Sequence, residues 1–157
     1  IIVGGGNTFH LVAELHTYKL IEPIRNKVKQ GTPYIGWSAG SNITCPTLCT
    51  TNDMPIVQPE SFHALGLIPF QINPHYLDPH PEIDKMIKHG GETRQDRLNE
   101  YLAVNQTMKV VGLREATSLW VEGDKMSLKG GKKLVIFEYN KEAIEIEPGE
   151  DISFLLK

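Results

Sequence analysis

Apolar and polar positions follow two rhythms along the chain. Residues 1–3 are β-branched and apolar and run into Gly4, Gly5 and Gly6, which predicts a buried parallel strand ending in a tight turn. Thr8 is placed to cap the next helix, in which Leu11, Val12 and Leu15 recur at helical spacing. Pro23 predicts a break or restart, after which Ile24 and Val28 continue the stripe until Gly31 stops it. Residues 34–36 predict a second short strand that leads directly into Trp37, Ser38, Ala39 and Gly40. The Thr, Asn, Asp and Pro content of 47–61 predicts a long surface loop, a common place for function in compact folds. Further strands are predicted over 67–72, ending at Asn73, Pro74 and His75, and over 109–113. Between them, Thr93 with Asp96 three residues later is a capping-box arrangement, and Leu98, Tyr101 and Leu102 give the helix one apolar face. Beyond Leu113 the pattern changes to short segments at 118–121, 125–128, 134–137 and 143–146 between Gly-containing turns, which predicts antiparallel hairpins. No repeat, low-complexity tract or linker divides the chain, so residues 1–157 read as one α/β domain. A parallel strand at its first residues needs neighbours, so the N-terminal strands and helices of the fold are expected to be missing from it.

Composition narrows the classes of function. A chain 40% hydrophobic and 22% charged has the make-up of a soluble globular domain. Its net charge of -3 leaves no basic excess for a phosphate backbone, which excludes nucleic acid as an expected partner. The longest apolar runs, 1–3 and 134–137, fall far short of the roughly 20 residues a bilayer requires. The first residues also lack the basic start and small-residue cleavage site of a secretory leader. A cytoplasmic protein without membrane attachment is expected. Cys45 and Cys49 have CxxxC spacing, which fits neither a redox CxxC nor a four-ligand zinc set, and both read as small buried thiols in a reducing compartment.

Candidate chemistry centres on Gly36-Trp37-Ser38-Ala39-Gly40, a G-x-S-x-G sequence between a strand and a helix start. In a nucleophile elbow the sharp turn lifts the serine hydroxyl out of the sheet, and the following N–H, here that of Ala39, points at a developing oxyanion. Gly4 to Gly6 lack the G-x-G-x-x-G spacing of a dinucleotide turn and the GK[ST] of a P-loop. Two readings stay open for that turn: a free Gly6 N–H completing the oxyanion hole, or a turn that merely needs positive φ. Of six histidines, only His75 follows a predicted strand end, where parallel-sheet enzymes place catalytic groups. His10 and His16 read as surface or packing residues on a helix, and His63, His80 and His89 as solvated loop residues. A metal site at His75, Asp78 and His80 is disfavoured by the stiff run of Pro74, Pro79 and Pro81. Glu115 follows strand 109–113 as His75 follows its own, placed either to hold an imidazole or to act as a surface carboxylate beside Arg114. The resulting order Ser38, His75, Glu115 differs from the Ser, Asp, His order of α/β-hydrolases and points to another fold.

The strings IIVGGGNTF, YIGWSAGSN, CPT with TTNDMPIV, QINPH, GETRQDR and GLREATS resemble the peptidase E family in order and approximate spacing from Ile1 to about Leu119. The resemblance implies a flavodoxin-like α/β fold related to class I glutamine amidotransferases, with a parallel sheet, helices on both faces and C-terminal hairpins, and with neither metal nor cofactor. It implies a serine dipeptidase acting on peptides with an N-terminal aspartate, with Ser38 as nucleophile, His75 as base, Glu115 as third member, and Gly6 and Ala39 N–H groups as the oxyanion hole. It also points to Arg94 for the substrate's aspartate side chain and to Asp53 for its free amine. Arg94 has a physical argument of its own, since a cation in a first helical turn opposes the macrodipole and invites a functional reason. A guanidinium beside free helix N–H groups is well made for a carboxylate, whereas pairing with Asp96 or Glu100 would leave it a solvated surface group. Rival readings are a cyanophycinase-like exopeptidase on aspartyl polymers and a noncatalytic flavodoxin-like binding domain; a glutamine amidotransferase would need cysteine at the elbow. The oligomeric state is open between monomer and homodimer.

Overall fold

A computed structural model describes residues 1–79 and 91–157. Strand β1 (Ile2–Val3) pairs in parallel with β2 (Ile35–Gly36), with Ile2 opposite Ile35 and Val3 opposite Gly36. Helices α1 (Thr8–Thr17) and α2 (Ile21–Lys29) connect them. The cap of α1 is Asn7, whose side chain accepts from the His10 N–H, and not Thr8, which is buried inside the first turn. The break between α1 and α2 falls at Tyr18, Lys19 and Leu20, with Lys19 at φ 54°, ahead of the expected position at Pro23. Pro23 is the third residue of α2, where its missing N–H is one of the donors that a helix start leaves unused anyway. Gly31, at φ 97°, ends α2 as expected.

After β2 the chain turns into α3 (Ala39–Asn42) and then into the loop that reaches Phe70. Leu65, Gly66 and Leu67 donate back to the carbonyls of Ile43, Cys45 and Thr44. This pairing keeps them out of the sheet, so the strand expected over 67–72 forms later, as β3 (Gln71–Pro74). Helix α4 (Arg94–Val104) precedes β4 (Lys109–Leu113), β5 (Thr117–Glu122), β6 (Lys125–Gly130), β7 (Leu134–Glu138) and β8 (Ile144–Ile146).

The four-stranded sheet has the order β3-β4-β7-β8; β3 and β4 are parallel, and β7 and β8 add antiparallel strands. Alternation puts Val110, Val135 and Phe137 on one face, where Leu98 and Leu102 of α4 cover them. On the other face, Ile72, Val111, Leu134 and Ile136 meet Met126 and Leu128 of the β5–β6 hairpin and Ile152 and Leu155 near a C-terminal 3-10 turn. A hairpin thus covers that face instead of a helix, within an α/β arrangement. A third cluster gathers α1, α2 and the post-elbow loop around Val12, Ile43, Leu48 and Leu65. Asn42, fully buried, ties α3 to the larger sheet by donating to the Ile72 carbonyl at 2.9 Å. The β1–β2 pair is open, with Ile2 69% and Ile35 58% exposed. Among the described residues no helix is long and apolar enough to cross a membrane.

Candidate active site

Ser38 sits at φ 56° and ψ -120°, a left-handed conformation that a β-carbon disfavours and that costs of order 1–3 kcal/mol. What holds it is local. The Ser38 carbonyl accepts from Ser41 N–H, Asn42 N–H and Ser41 Oγ at 2.7–3.0 Å. The flanking glycines permit close approach of chain: a β-carbon on Gly36 would lie 2.3 Å from the Gly40 carbonyl oxygen, and one on Gly40 would lie 2.1 Å from that of Val3. The Gly40 N–H donates to the Gly4 carbonyl at 3.1 Å, which locks the elbow against the turn after β1. In that turn, a β-carbon on Gly5 would lie 3.4 Å from Ser38 Oγ, so the absence of a side chain keeps the space by the hydroxyl open. Gly6 follows at φ 141°, a conformation that favours glycine. Among the described residues, neither the Gly6 N–H nor the Ala39 N–H makes a hydrogen bond.

His75 leaves the end of β3 at φ 54°, and its Nδ1 pairs with Glu115 Oε1. The pairing follows from register: Pro74 lies opposite Leu113 in the parallel ladder, and the Tyr76 N–H donates to the Leu113 carbonyl at 3.1 Å. One residue past the strand end on one side and two on the other therefore face each other. Both side chains are at least half exposed. Among the described residues no hydrogen bond joins Ser38 Oγ to the His75 ring.

One hollow lies beside the His75–Glu115 pair, lined by Tyr76, Leu77, Asp78, Arg114 and Glu115 among others. A second hollow lies between the first turns of α4 and the loop after the elbow, lined by Cys49, Thr50, Asn52, Asn73, Arg94 and Arg97 among others. The loop is tied to the end of β3. Asn52 Nδ2 donates to the Pro74 carbonyl at 2.6 Å, and Asn73 Nδ2 donates to the Thr50 carbonyl and to Asn52 Oδ1. Asn73 is 2% exposed and its Oδ1 has no partner among the described residues. The capping box expected at Thr93 and Asp96 is present, and it occupies the Asp96 carboxylate. Arg94 makes no ion pair among the described residues, and desolvation, with Arg97 second, lowers its pKa. Asp53 Oδ2 accepts from Thr8 N–H, Thr8 Oγ1 and Thr51 Oγ1 at 2.6–3.2 Å, so one oxygen of this carboxylate anchors α1 to the loop.

The remaining candidates sort as follows. His10 lies 3.7 Å from Glu14, and His16 Nε2 hydrogen-bonds the His63 carbonyl; His80 and His89 lie outside the described residues. Asp78 accepts hydrogen bonds from Arg114. Cys45 is buried, accepts from the Ile72 N–H at 3.1 Å, and burial pushes its thiol up to about 12. Cys49, expected to be buried, is exposed at the rim of the second hollow, because it falls where the loop leaves the core. Sequence reasoning did not find the tethers made by Asn42, Asn52 and Asn73. An Asn in the QINPH string gave the only signal, and its partners come from a distant loop.

The chain matches a solved peptidase from an acI-B1 Actinobacterium with a TM-score of 0.67 at 21% identity, over 98% of this chain and 59% of that one, a likeness of fold alone. A putative peptidase E from Listeria monocytogenes EGD-e matches with a TM-score of 0.64 at 28% identity, over 83% of this chain and 58% of that one. The family model of peptidase family S51 matches residues 1–129, and the chain belongs to that family. Its curated relatives include peptidase E of a Nostoc species, 50% identical over 157 residues, and peptidase E of Shewanella baltica, 48% identical over 157 residues. These matches take in all of this chain and 63% and 64% of the relatives, so the chain spans somewhat under two thirds of their length.

Proposed function

We propose that residues 1–157 form the catalytic α/β part of a serine dipeptidase that hydrolyses Asp-X peptides through an acyl-enzyme. The observation that carries this reading is the left-handed Ser38 in a glycine-lined elbow, with a His75–Glu115 pair at the end of a parallel strand. Ser38 Oγ attacks the scissile carbonyl while its proton passes to His75 Nε2, and Glu115 keeps Nδ1–H on the far side of the ring. The carbonyl oxygen, now anionic, accepts from the N–H groups of Gly6 and Ala39. His75 returns the proton to the leaving amine, the C–N bond breaks, and the aspartyl group remains as an ester on Ser38. Water, giving its proton to His75, then cleaves the ester and restores the hydroxyl.

Substrate choice is assigned to the second hollow. Arg94, partly desolvated and without an ion-pair partner among the described residues, suits the aspartate carboxylate. Asp53, in the adjoining loop, has Oδ1 left to receive the substrate's ammonium group, and holding that amine is what would limit cleavage to dipeptides. The test is turnover of Asp-Leu and Asn-Leu by the full-length protein and its Ser38→Ala variant. Asp-Leu should be the preferred substrate, and Ser38→Ala should lower kcat by roughly a thousandfold or more. Activity within tenfold of wild type in that variant would sink the assignment.

A further inference from the structure

We infer that Arg114 is a positioning residue for the His75–Glu115 pair, an inference that rests on the hydrolase reading of that pair. His75 itself and Ala116, the residue after Glu115, lie at φ of 54° and 63°, two left-handed non-glycine residues in loops that leave adjacent strands. Neither conformation is intrinsically favoured, so something outside the two turns must hold them. Arg114 reaches every element concerned. Its Nε and Nη2 donate to Asp78 Oδ2 and Oδ1 at 2.8 and 2.5 Å, a bidentate fork onto the loop that carries His75. Nη2 also donates to Glu145 Oε1 of β8 at 2.7 Å, and Nη1 to the Lys133 carbonyl before β7 at 2.9 Å. On its own loop, Thr117 Oγ1 donates to the Arg114 carbonyl, next to Glu115.

The side chain is 13% exposed and its guanidinium lies 5.9 Å from the centre of the Tyr76 ring. Tyr76 follows His75 directly, is 3% exposed, and fits because Gly112 has no side chain: a β-carbon there would lie 2.8 Å from the ring. One planar cation thus fixes the β3 loop, the β4 loop and the β7–β8 hairpin together, and the imidazole and carboxylate sit on the outer side of that clamp. The hydrogen bond from Arg114 holds the Asp78 carboxyl below its usual range, and Asp78, then Glu145, holds the guanidinium above its own. An ammonium in the same place would keep the charge but lose the fork.

The experiment measures steady-state kinetics and the downfield NMR resonance of the His75 Nδ1–H in the full-length protein, with Glu115→Gln as the control that removes the acceptor. In Arg114→Met, kcat for Asp-Leu should fall on the order of 10- to 100-fold, as small misplacements of catalytic groups do, while KM stays within about threefold. The resonance should broaden or disappear. Arg114→Lys should move both readouts in the same direction by less. If Arg114→Met does not fold, Asp78→Asn, which cuts only the fork to the β3 loop, should give the same pattern. A wild-type resonance with kcat within threefold overturns the inference, and so does a fall in kcat with the resonance intact. Absence of Asp-Leu turnover in wild type would sink the dipeptidase reading alone, because the resonance still reports whether Arg114 holds the pair.

Discussion

Replacing Gly40 by Ala sets a local preference against a packing constraint. By propensity alone the change should stabilise the protein, since glycine within a helix costs roughly 0.5–1 kcal/mol relative to alanine. The new methyl carbon would, however, lie 2.1 Å from the Val3 carbonyl oxygen and 3.1 Å from that of Gly4. Both atoms belong to backbone, which cannot swing aside as a side chain can. To reach about 3 Å, the elbow and the turn after β1 must part by roughly 0.9 Å, and the 3.1 Å hydrogen bond from Gly40 N–H to Gly4 stretches beyond use. Overpacking costs about 1–3 kcal/mol and the lost bond about 1 kcal/mol, so after the gain in propensity the net loss is about 1–3 kcal/mol. For a chain of this size that lowers Tm by about 3–10 °C. The effect on chemistry should exceed the effect on stability, because the displaced segments carry Ser38 and both proposed oxyanion donors. A shift of this size costs on the order of 100-fold in kcat. Thermal unfolding and Asp-Leu kinetics on the purified variant decide the matter. A Tm at or above wild type together with kcat within threefold would refute the claim that close backbone approach positions the elbow.

Arg94→Met should cut kcat/KM for Asp-Leu by about 2–4 kcal/mol and leave Asn-Leu far less affected, so an unchanged Asp-to-Asn ratio would show that another group reads the aspartate. Thr93→Ala should cost about 1 kcal/mol of stability by removing the α4 cap and should raise KM through the loosened first turn that carries Arg94, with Thr93→Ser restoring both; an unaltered KM would separate the cap from the pocket. In thiol labelling of the native protein, Cys49 should react fast and Cys45 only on unfolding; fast labelling of Cys45 would contradict its burial.

What the sequence disclosed follows from how local each requirement is. The elbow is legible because its needs, small residues two positions either side of a serine between a strand and a helix, all lie within Gly36 to Gly40. The capping box at Thr93 and Asp96 and strand Lys109–Leu113 are legible for the same reason. The His75–Glu115 pair needed the register of β3 against β4, which sequence order suggested through two strand ends without fixing it. Features set by distant partners were not legible. Arg114 finds Asp78, Lys133 and Glu145 at separations of 36, 19 and 31 residues, and nothing in the GLREATS string signals them. Residues 67–70 look like a strand by apolar content, yet hydrogen bonds from Leu65, Gly66, Leu67 and Ile68 to the post-elbow turn hold the segment off the sheet. Pro23 marked a break or restart, and the restart at Ile21 puts it in a first turn; what sequence could not tell is that the break falls a few residues earlier. Cys49 read as buried because its CxxxC spacing says nothing of where the loop leaves the core.

The most direct test is of the covalent role proposed for Ser38. Full-length protein mixed with an activated aspartyl substrate such as Asp p-nitroanilide, quenched in acid within milliseconds and digested, should yield the peptide containing Ser38 carrying one aspartyl group as an ester. That species should form with a burst of p-nitroaniline and be absent in Ser38→Ala. Steady turnover with no acylated peptide and no burst, or an aspartyl group found on another residue, would contradict the mechanism.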